Sequence, residues 1–153
     1  MHNLIFTDIS GCSYEHSDTL SIVHACKEPC HRCAVGYKEK SLASLHPNYL
    51  ALTRGNHLYL NLIDPPVPLF KAESFAAFFA FVDEHIKHRD VRIHCNKGES
   101  RAPSLTLLYR AKRGLLPNDS YEAARAAFEA HNPYKPGKGI ETYLRENWHR
   151  LGV

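Results

Sequence analysis

Short apolar segments with alternating character occupy the first part of the chain, and longer stretches in which apolar residues return every three or four positions occupy the second. Leu4 to Ile9 reads as a first strand, ended by the turn Ser10-Gly11-Cys12-Ser13. Leu20 to Cys26 is a second, partly alternating strand that runs into a polar loop with Cys30, His31 and Cys33. Tyr49 to Thr53 and Leu58 to Ile63, joined through Arg54-Gly55-Asn56, have the pattern of a hairpin with glycine in its loop. The second arm stops at Asp64-Pro65-Pro66-Val67-Pro68, where the prolines remove amide donors and stiffen the backbone.

From about Ala72 to His88 the spacing of Phe75, Phe78, Phe79, Val82 and Ile86 predicts a helix that lays one apolar stripe on a sheet. Val91-Arg92-Ile93-His94 returns to strand character, and a loop from Cys95 to Arg101 leads into a helix with Pro103 in its first turn, where a missing N–H costs nothing. That helix runs from Ser104 to Arg113 and ends at Gly114. Asp119-Ser120-Tyr121-Glu122 starts another helix toward Ala130, and Asn132 to Gly137 is a turn before a last helix through Trp148. Strands early, helices late and a β-α-β crossover between them define an α/β chain, and residues 1–153 suit a single domain with a substantial core.

Composition changes this picture little. The formal charge of +3, with 11 histidines held neutral, mildly favours anionic partners without demanding nucleic acid. The N-terminal residues lack the basic start and apolar stretch of a signal peptide, and the longest apolar run, Phe75 to Val82, falls far short of the ~20 residues that span a bilayer. A cytoplasmic protein without a membrane span is the expectation. Five cysteines, an odd number, fit a reducing compartment better than a disulfide framework.

The chemistry concentrates in His94-Cys95-Asn96-Lys97-Gly98-Glu99-Ser100-Arg101. A strand delivers a thiol into a loop that opens a helix, so backbone N–H groups and the positive helix end face the same point. Arg101 closes that loop with a planar fork suited to two phosphate oxygens. A cysteine works as a nucleophile only as thiolate, and cations and helix N-termini favour that form. His94 is placed to bond backbone around the cysteine and support the thiolate, and Gly98 permits a backbone angle other residues resist. The segment is an anion cradle containing a nucleophile.

This string resembles the signature loop of the cysteine-based protein tyrosine phosphatases, and the short chain is most similar to their dual-specificity branch, with element order alike from Leu4 to Trp148. The resemblance implies a central, mainly parallel twisted sheet of four to five strands flanked by helices. It implies that Cys95 attacks phosphorus, that Asn96, Lys97, Gly98, Glu99, Ser100 and Arg101 bind the phosphate, and that an upstream aspartate protonates the leaving oxygen. Asp64 fits the last role. It precedes Cys95 by 95 − 64 = 31 residues, and one helix lies between, which permits a parallel crossover bringing both to one sheet edge. The expected activity is hydrolysis of phosphate monoesters, phosphotyrosine and also phosphoserine or phosphothreonine, through a cysteinyl phosphate. No cofactor and no metal is expected for that chemistry, because the arginine and amides carry the charge stabilisation.

One position departs from the family. A Ser or Thr usually follows the loop arginine and bonds the cysteine sulfur, but here that residue is Ala102, with Ser100 and Ser104 as the nearest substitutes. Slow second-step chemistry follows as an expectation, and with it a rival reading as a low-turnover module that traps phosphorylated partners. A phosphorylated protein is the expected partner. Lys97 inside the loop leaves open a more highly charged one, a phosphoinositide or an RNA 5′-end.

The remaining cysteines admit three readings. Cys26, Cys30 and Cys33 have the spacing of an iron–sulfur motif in radical enzymes, but such enzymes are much longer. Cys30 and Cys33 could hold zinc with His24 or His31, but no second pair completes four ligands at familiar spacing, so ordinary loop thiols are expected. If the strand ending at Cys26 lies parallel and next to the one carrying Cys95, the two thiols share a strand edge, and Cys26 is a redox partner for the nucleophile.

Overall fold

The computed structural model describes residues 2–153. Five strands, β1 (Leu4–Thr7), β2 (Leu20–His24), β3 (Ala51–Arg54), β4 (His57–Leu60) and β5 (Asp90–His94), form one sheet in the order β1-β5-β2-β4-β3. The pairs β1/β5, β5/β2 and β2/β4 are parallel, and β3 pairs antiparallel with β4 across a turn in which Gly55 has φ +58°. The hairpin is as the sequence pattern predicts, and the mainly parallel sheet is as the resemblance implies. β1 and β2 start with their apolar runs but stop short of the expected ends at Ile9 and Cys26, and β3 and β4 each reach one residue further toward the turn than expected while losing the far end of their runs. β1 stops at Thr7 because Asp8 caps a 3₁₀ turn over Ile9–Gly11, its carboxylate accepting the Ser10 N–H.

The helices are α1 (Arg32–Val35), α2 (Ala72–His85), α3 (Arg101–Lys112), α4 (Tyr121–Glu129) and α5 (Lys138–Asn147). Among the described residues no helix is long and apolar enough to cross a membrane. The chain leaves β4, crosses back over β2 through α2 and inserts β5 between β1 and β2. This puts the C-terminal ends of β2, β4 and β5 along one edge, where open α/β sheets place their ligands. α3 starts at Arg101, ahead of the apolar run, because Pro103 sits in the first turn and needs no N–H acceptor.

The two faces of the sheet differ. Alternate residues Val23, Leu58, Leu60, Val91 and Ile93 join the apolar stripes of α2, α3, α4 and α5 in one continuous core. The positions between them, among them His24, His57, Tyr59 and His94, turn to the other face. There the buried apolar cluster contains only Cys26, Cys30 and Tyr59, against which Cys12, Ala34 and Leu52 pack. A parallel sheet needs both faces covered. On this side the cover comes from the connection after β1 and from the loop carrying α1, and three buried imidazoles replace the greasy side chains a second core would use.

Candidate active site

β5 ends at His94, and Cys95 follows at the floor of the loop, 1% exposed. Its Sγ accepts the Gly98 N–H at 3.3 Å and the Ala102 N–H at 3.4 Å. The second donor belongs to the first turn of α3, so the sulfur sits at the positive end of that helix as well as inside the loop. Gly98 has φ +69°, and a Cβ there would lie 2.9 Å from the backbone nitrogen of Asp8. Both the conformation and the close approach to the neighbouring connection require glycine.

Arg101 is held by its two terminal nitrogens. Nη1 donates to the Leu62 carbonyl at 2.9 Å, and Nη2 donates to Asn96 Oδ1 at 2.7 Å. Its Nε–H is buried and has no acceptor among the described residues. Asn96 is fixed from behind, because its Nδ2 donates to the Glu28 carbonyl at 2.9 Å. The arginine is thus braced through one N–H on each terminal nitrogen, with its buried Nε–H left without a partner, which is the state expected of a group that awaits an oxyanion.

A cavity of about 340 Å³ opens over Cys95 and Arg101, with Asn96, Lys97, Glu99 and Ser100 in its wall. Asp64 lines the same cavity from the loop that follows β4, so the crossover brings it to the same edge of the sheet as Cys95. Lys135 and Gly137 complete the wall. Neither stands out in the sequence, where they belong to a turn between helices. The structure docks that turn on the loop: the Lys135 N–H donates to the Glu99 carbonyl at 2.9 Å and the Gly137 N–H donates to Ser100 Oγ at 2.7 Å. Lys97, Lys135 and Arg101 against Asp64 and Glu99 leave the cavity with an excess of one positive charge, counted at neutral pH.

The hydroxyls near Cys95 are engaged elsewhere. Ser104 Oγ bonds Tyr134 Oη at 2.7 Å, deep in the core, and Ser100 Oγ takes the Gly137 N–H. Among the described residues only backbone amides hydrogen-bond the sulfur.

β2 and β5 are parallel neighbours with His24 level with His94, as the redox reading of Cys26 requires. Cys26, however, packs with Cys30 and Tyr59, while Cys95 belongs to the main core. All five cysteines are free thiols. His94 supports the loop from beneath: Nδ1 lies 3.4 Å from the Cys95 carbonyl oxygen, and Nε2 faces His24. Cys33 is exposed, and both ring nitrogens of His31 are taken, by Tyr37 Oη and the Asn48 carbonyl. The cysteine and histidine sets suggested by the spacing of residues 26, 30 and 33 are therefore not assembled.

No family model matches the chain, and no curated protein matches it in sequence. Solved structures do match. Human DUSP28 aligns over 97% of this chain and 93% of its own, with TM-score 0.64 and 12% identity. The human tyrosine phosphatase-like serine/threonine/tyrosine-interacting protein aligns over 88% of this chain and 80% of its own, with TM-score 0.58 and 17% identity. The fold is that of the dual-specificity phosphatases. A third structure with this phosphatase fold, PTPMT1 in complex with PI(5)P, aligns over 88% of this chain and 79% of its own, with TM-score 0.52 and 14% identity.

Proposed function

We propose that the chain is a cysteine-dependent phosphatase that hydrolyses phosphate monoesters of proteins, phosphotyrosine and also phosphoserine or phosphothreonine, through a cysteinyl-phosphate intermediate. The observation that carries this reading is the braced guanidinium of Arg101, with its buried Nε–H unpaired, in one cavity with a sulfur that two amides point at. The Cys95 thiolate attacks phosphorus while the loop amides and Arg101 hold the phosphoryl oxygens, and protonated Asp64 gives its proton to the leaving oxygen. Water, deprotonated by Asp64, then attacks the phosphocysteine, releasing inorganic phosphate and the thiolate. Charge on the equatorial oxygens is met by preformed donors that need no reorganisation.

Lys97 and Lys135 at the cavity wall favour a second substrate class with the same chemistry, multiply charged phosphates such as phosphoinositides or an RNA 5′-end. Five free thiols suit action in a reducing compartment such as the cytoplasm.

The test is steady-state turnover of p-nitrophenyl phosphate, followed by a panel of phosphotyrosine and phosphoserine peptides, phosphoinositides and RNA 5′-triphosphate. The wild type should turn over the aryl phosphate and prefer the peptides. Cys95→Ser should abolish turnover while phosphate still binds. Activity that survives Cys95→Ser overturns the reading.

A further inference from the structure

Beneath the catalytic loop, on the sheet face that lacks a large apolar core, four side chains from four separate segments converge. Cys12 follows the 3₁₀ turn after β1, His24 ends β2, Cys30 sits in the turn Lys27–His31, and His94 ends β5. One ligand atom from each lies within 4.8 Å of all the others, and three of the four residues are fully buried. Cys12 Sγ is 3.7 Å from Cys30 Sγ and 3.7 Å from His24 Nδ1, and Cys30 Sγ is 3.8 Å from His94 Nε2. A tetrahedron with zinc–sulfur bonds of ~2.3 Å and zinc–nitrogen bonds of ~2.0–2.1 Å has sulfur–sulfur edges of about 3.8 Å and sulfur–nitrogen edges of about 3.6 Å. Both sulfur-containing distances fit. The two imidazoles stand 2.7 Å apart, nitrogen to nitrogen, and would open by about 0.6 Å to reach the ~3.3 Å edge of the same tetrahedron.

The proton positions favour a cation. His57 Nε2 faces the Glu15 carbonyl oxygen at 2.8 Å, and a carbonyl only accepts, so that nitrogen carries the proton. With that proton on Nε2, the ring offers Nδ1 as acceptor, 3.0 Å from His24 Nε2, so His24 donates there. That leaves the lone pair of His24 on Nδ1, aimed at the two sulfurs and at His94. His94 Nδ1 in turn faces the Cys95 carbonyl oxygen, which sets its lone pair on Nε2. With the protons so placed both lone pairs face the space beside the two sulfurs, where a metal ion would take them; without one, the 2.7 Å contact is a ring-to-ring hydrogen bond. The outward nitrogens of both rings would then be hydrogen-bonded to acceptors, the usual support for ligating histidines. Tyr14 Oη donates to Cys30 Sγ at 3.3 Å, a bond that suits a thiolate.

We propose that Cys12, His24, Cys30 and His94 bind one Zn²⁺ in a tetrahedral two-sulfur, two-nitrogen site that fastens the floor of the catalytic loop. Binding converts two S–H groups to two Zn–S bonds and releases two protons to solvent, with no change of oxidation state. Two thiolates neutralise the ion's charge, which is what a buried site demands. The donor set of two sulfurs and two nitrogens selects zinc over magnesium or calcium, and all four positions are filled by protein, as in a structural rather than a catalytic zinc site. The site bears on the loop by two routes. His94 is the residue before Cys95, and the turn that holds Cys30 also offers the Glu28 carbonyl that anchors Asn96, the partner of Arg101.

The full chain, purified without added metal or chelator, tests this through metal content and spectroscopy, neither of which depends on the phosphatase reading. Elemental analysis should find one zinc per chain in the wild type and in Cys26→Ser, Cys33→Ser and Cys95→Ser, and loss of zinc in Cys12→Ser and Cys30→Ser. Cobalt(II) exchanged into the wild type should give the intense visible bands of a tetrahedral thiolate site and a sulfur-to-metal charge-transfer band. The cobalt measurement needs no variant, so a Cys12 or Cys30 substitution that fails to fold does not disarm it. A folded wild type that holds no zinc and gives no tetrahedral cobalt spectrum means the four residues form only a hydrogen-bonded cluster, and the proposal falls. It falls equally if Cys33→Ser or Cys95→Ser removes the metal while Cys12→Ser keeps it.

Discussion

Gly137 stands where any side chain would collide with Asp64: a Cβ on it would lie 2.3 Å from the Asp64 carboxylate oxygen Oδ1. Two residues on, a Cβ at Gly139 would lie 2.3 Å from the carbonyl oxygens of Pro65 and Val67, and the Gly139 N–H donates to Pro65 at 3.2 Å. The start of α5 is therefore pressed against the loop that carries Asp64, the proposed general acid, and the proline-stiffened backbone cannot yield easily. Gly137→Ala should push the Asp64 carboxyl out of line. A misplacement of this size should lower kcat for poor leaving groups by about 10²-fold while the fold survives. Steady-state kinetics with a circular-dichroism melt checks both halves.

Asp64→Asn removes the transferable proton without removing the shape. The expected loss in kcat is roughly 10²–10⁴-fold for alkyl phosphates and peptides. It should shrink sharply for aryl phosphates whose leaving groups need no proton. A series of substituted phenyl phosphates reads this directly, and an equal loss across the series would remove Asp64 from the role.

Ala102 offers the sulfur an amide and nothing more, and the nearby hydroxyls of Ser100 and Ser104 are committed to Gly137 and Tyr134. On the proposed mechanism the thiolate of a phosphocysteine would depart without a hydroxyl to stabilise it, so that intermediate should accumulate. Rapid-quench kinetics should show a burst in the wild type. Ala102→Ser, a small change at a fully buried helix position, should reduce the burst and raise steady-state kcat several-fold.

The Asn96 side chain holds Arg101 through Oδ1 and the Glu28 loop through Nδ2. Asn96→Ala should free the guanidinium to swing. Loss of such an outer partner typically costs 10–100-fold in binding at metal sites, and the same order, about tenfold, is expected here for inhibition by phosphate or vanadate. The inhibition constants of wild type and variant decide it.

The buried chain Ser104–Tyr134–Tyr121, with contacts of 2.7 and 3.0 Å, ties α3 to the segment that carries Lys135 and Gly137. Burial pushes the Tyr134 hydroxyl far above its ordinary pKa, so it stays neutral and available for both bonds. Tyr134→Phe leaves two hydroxyls without their partner and should cost about 1–3 kcal/mol. A chain of this length should show that as a fall in Tm of roughly 2–4 °C per kcal/mol, measured by thermal melting.

Cys95, the loop that follows it and Arg101 are contiguous in sequence, so one strand-loop-helix unit fixes their geometry, and eight residues from His94 to Arg101 suffice to read it. Asp64 was legible because a single crossover helix constrains where its strand can return. Lys135 and Gly137 were not, since nothing local marks them. They reach the pocket only because α5 docks on the loop after β4 and because two backbone bonds pin their turn to residues 99 and 100. The cluster of Cys12, His24, Cys30 and His94 is more hidden still. Its four residues follow no spacing rule, because parallel pairing sets position 24 beside position 94, seventy residues away (94 − 24 = 70), and two separate connections fold 12 and 30 over them. The sequence alone determined what is encoded within one turn of chain: the strands, the helices, the anion-binding loop and its thiol. The tertiary structure alone decided which distant side chains share a face or a cavity, because pairing order and docking angle are properties of the whole sheet that no local pattern carries.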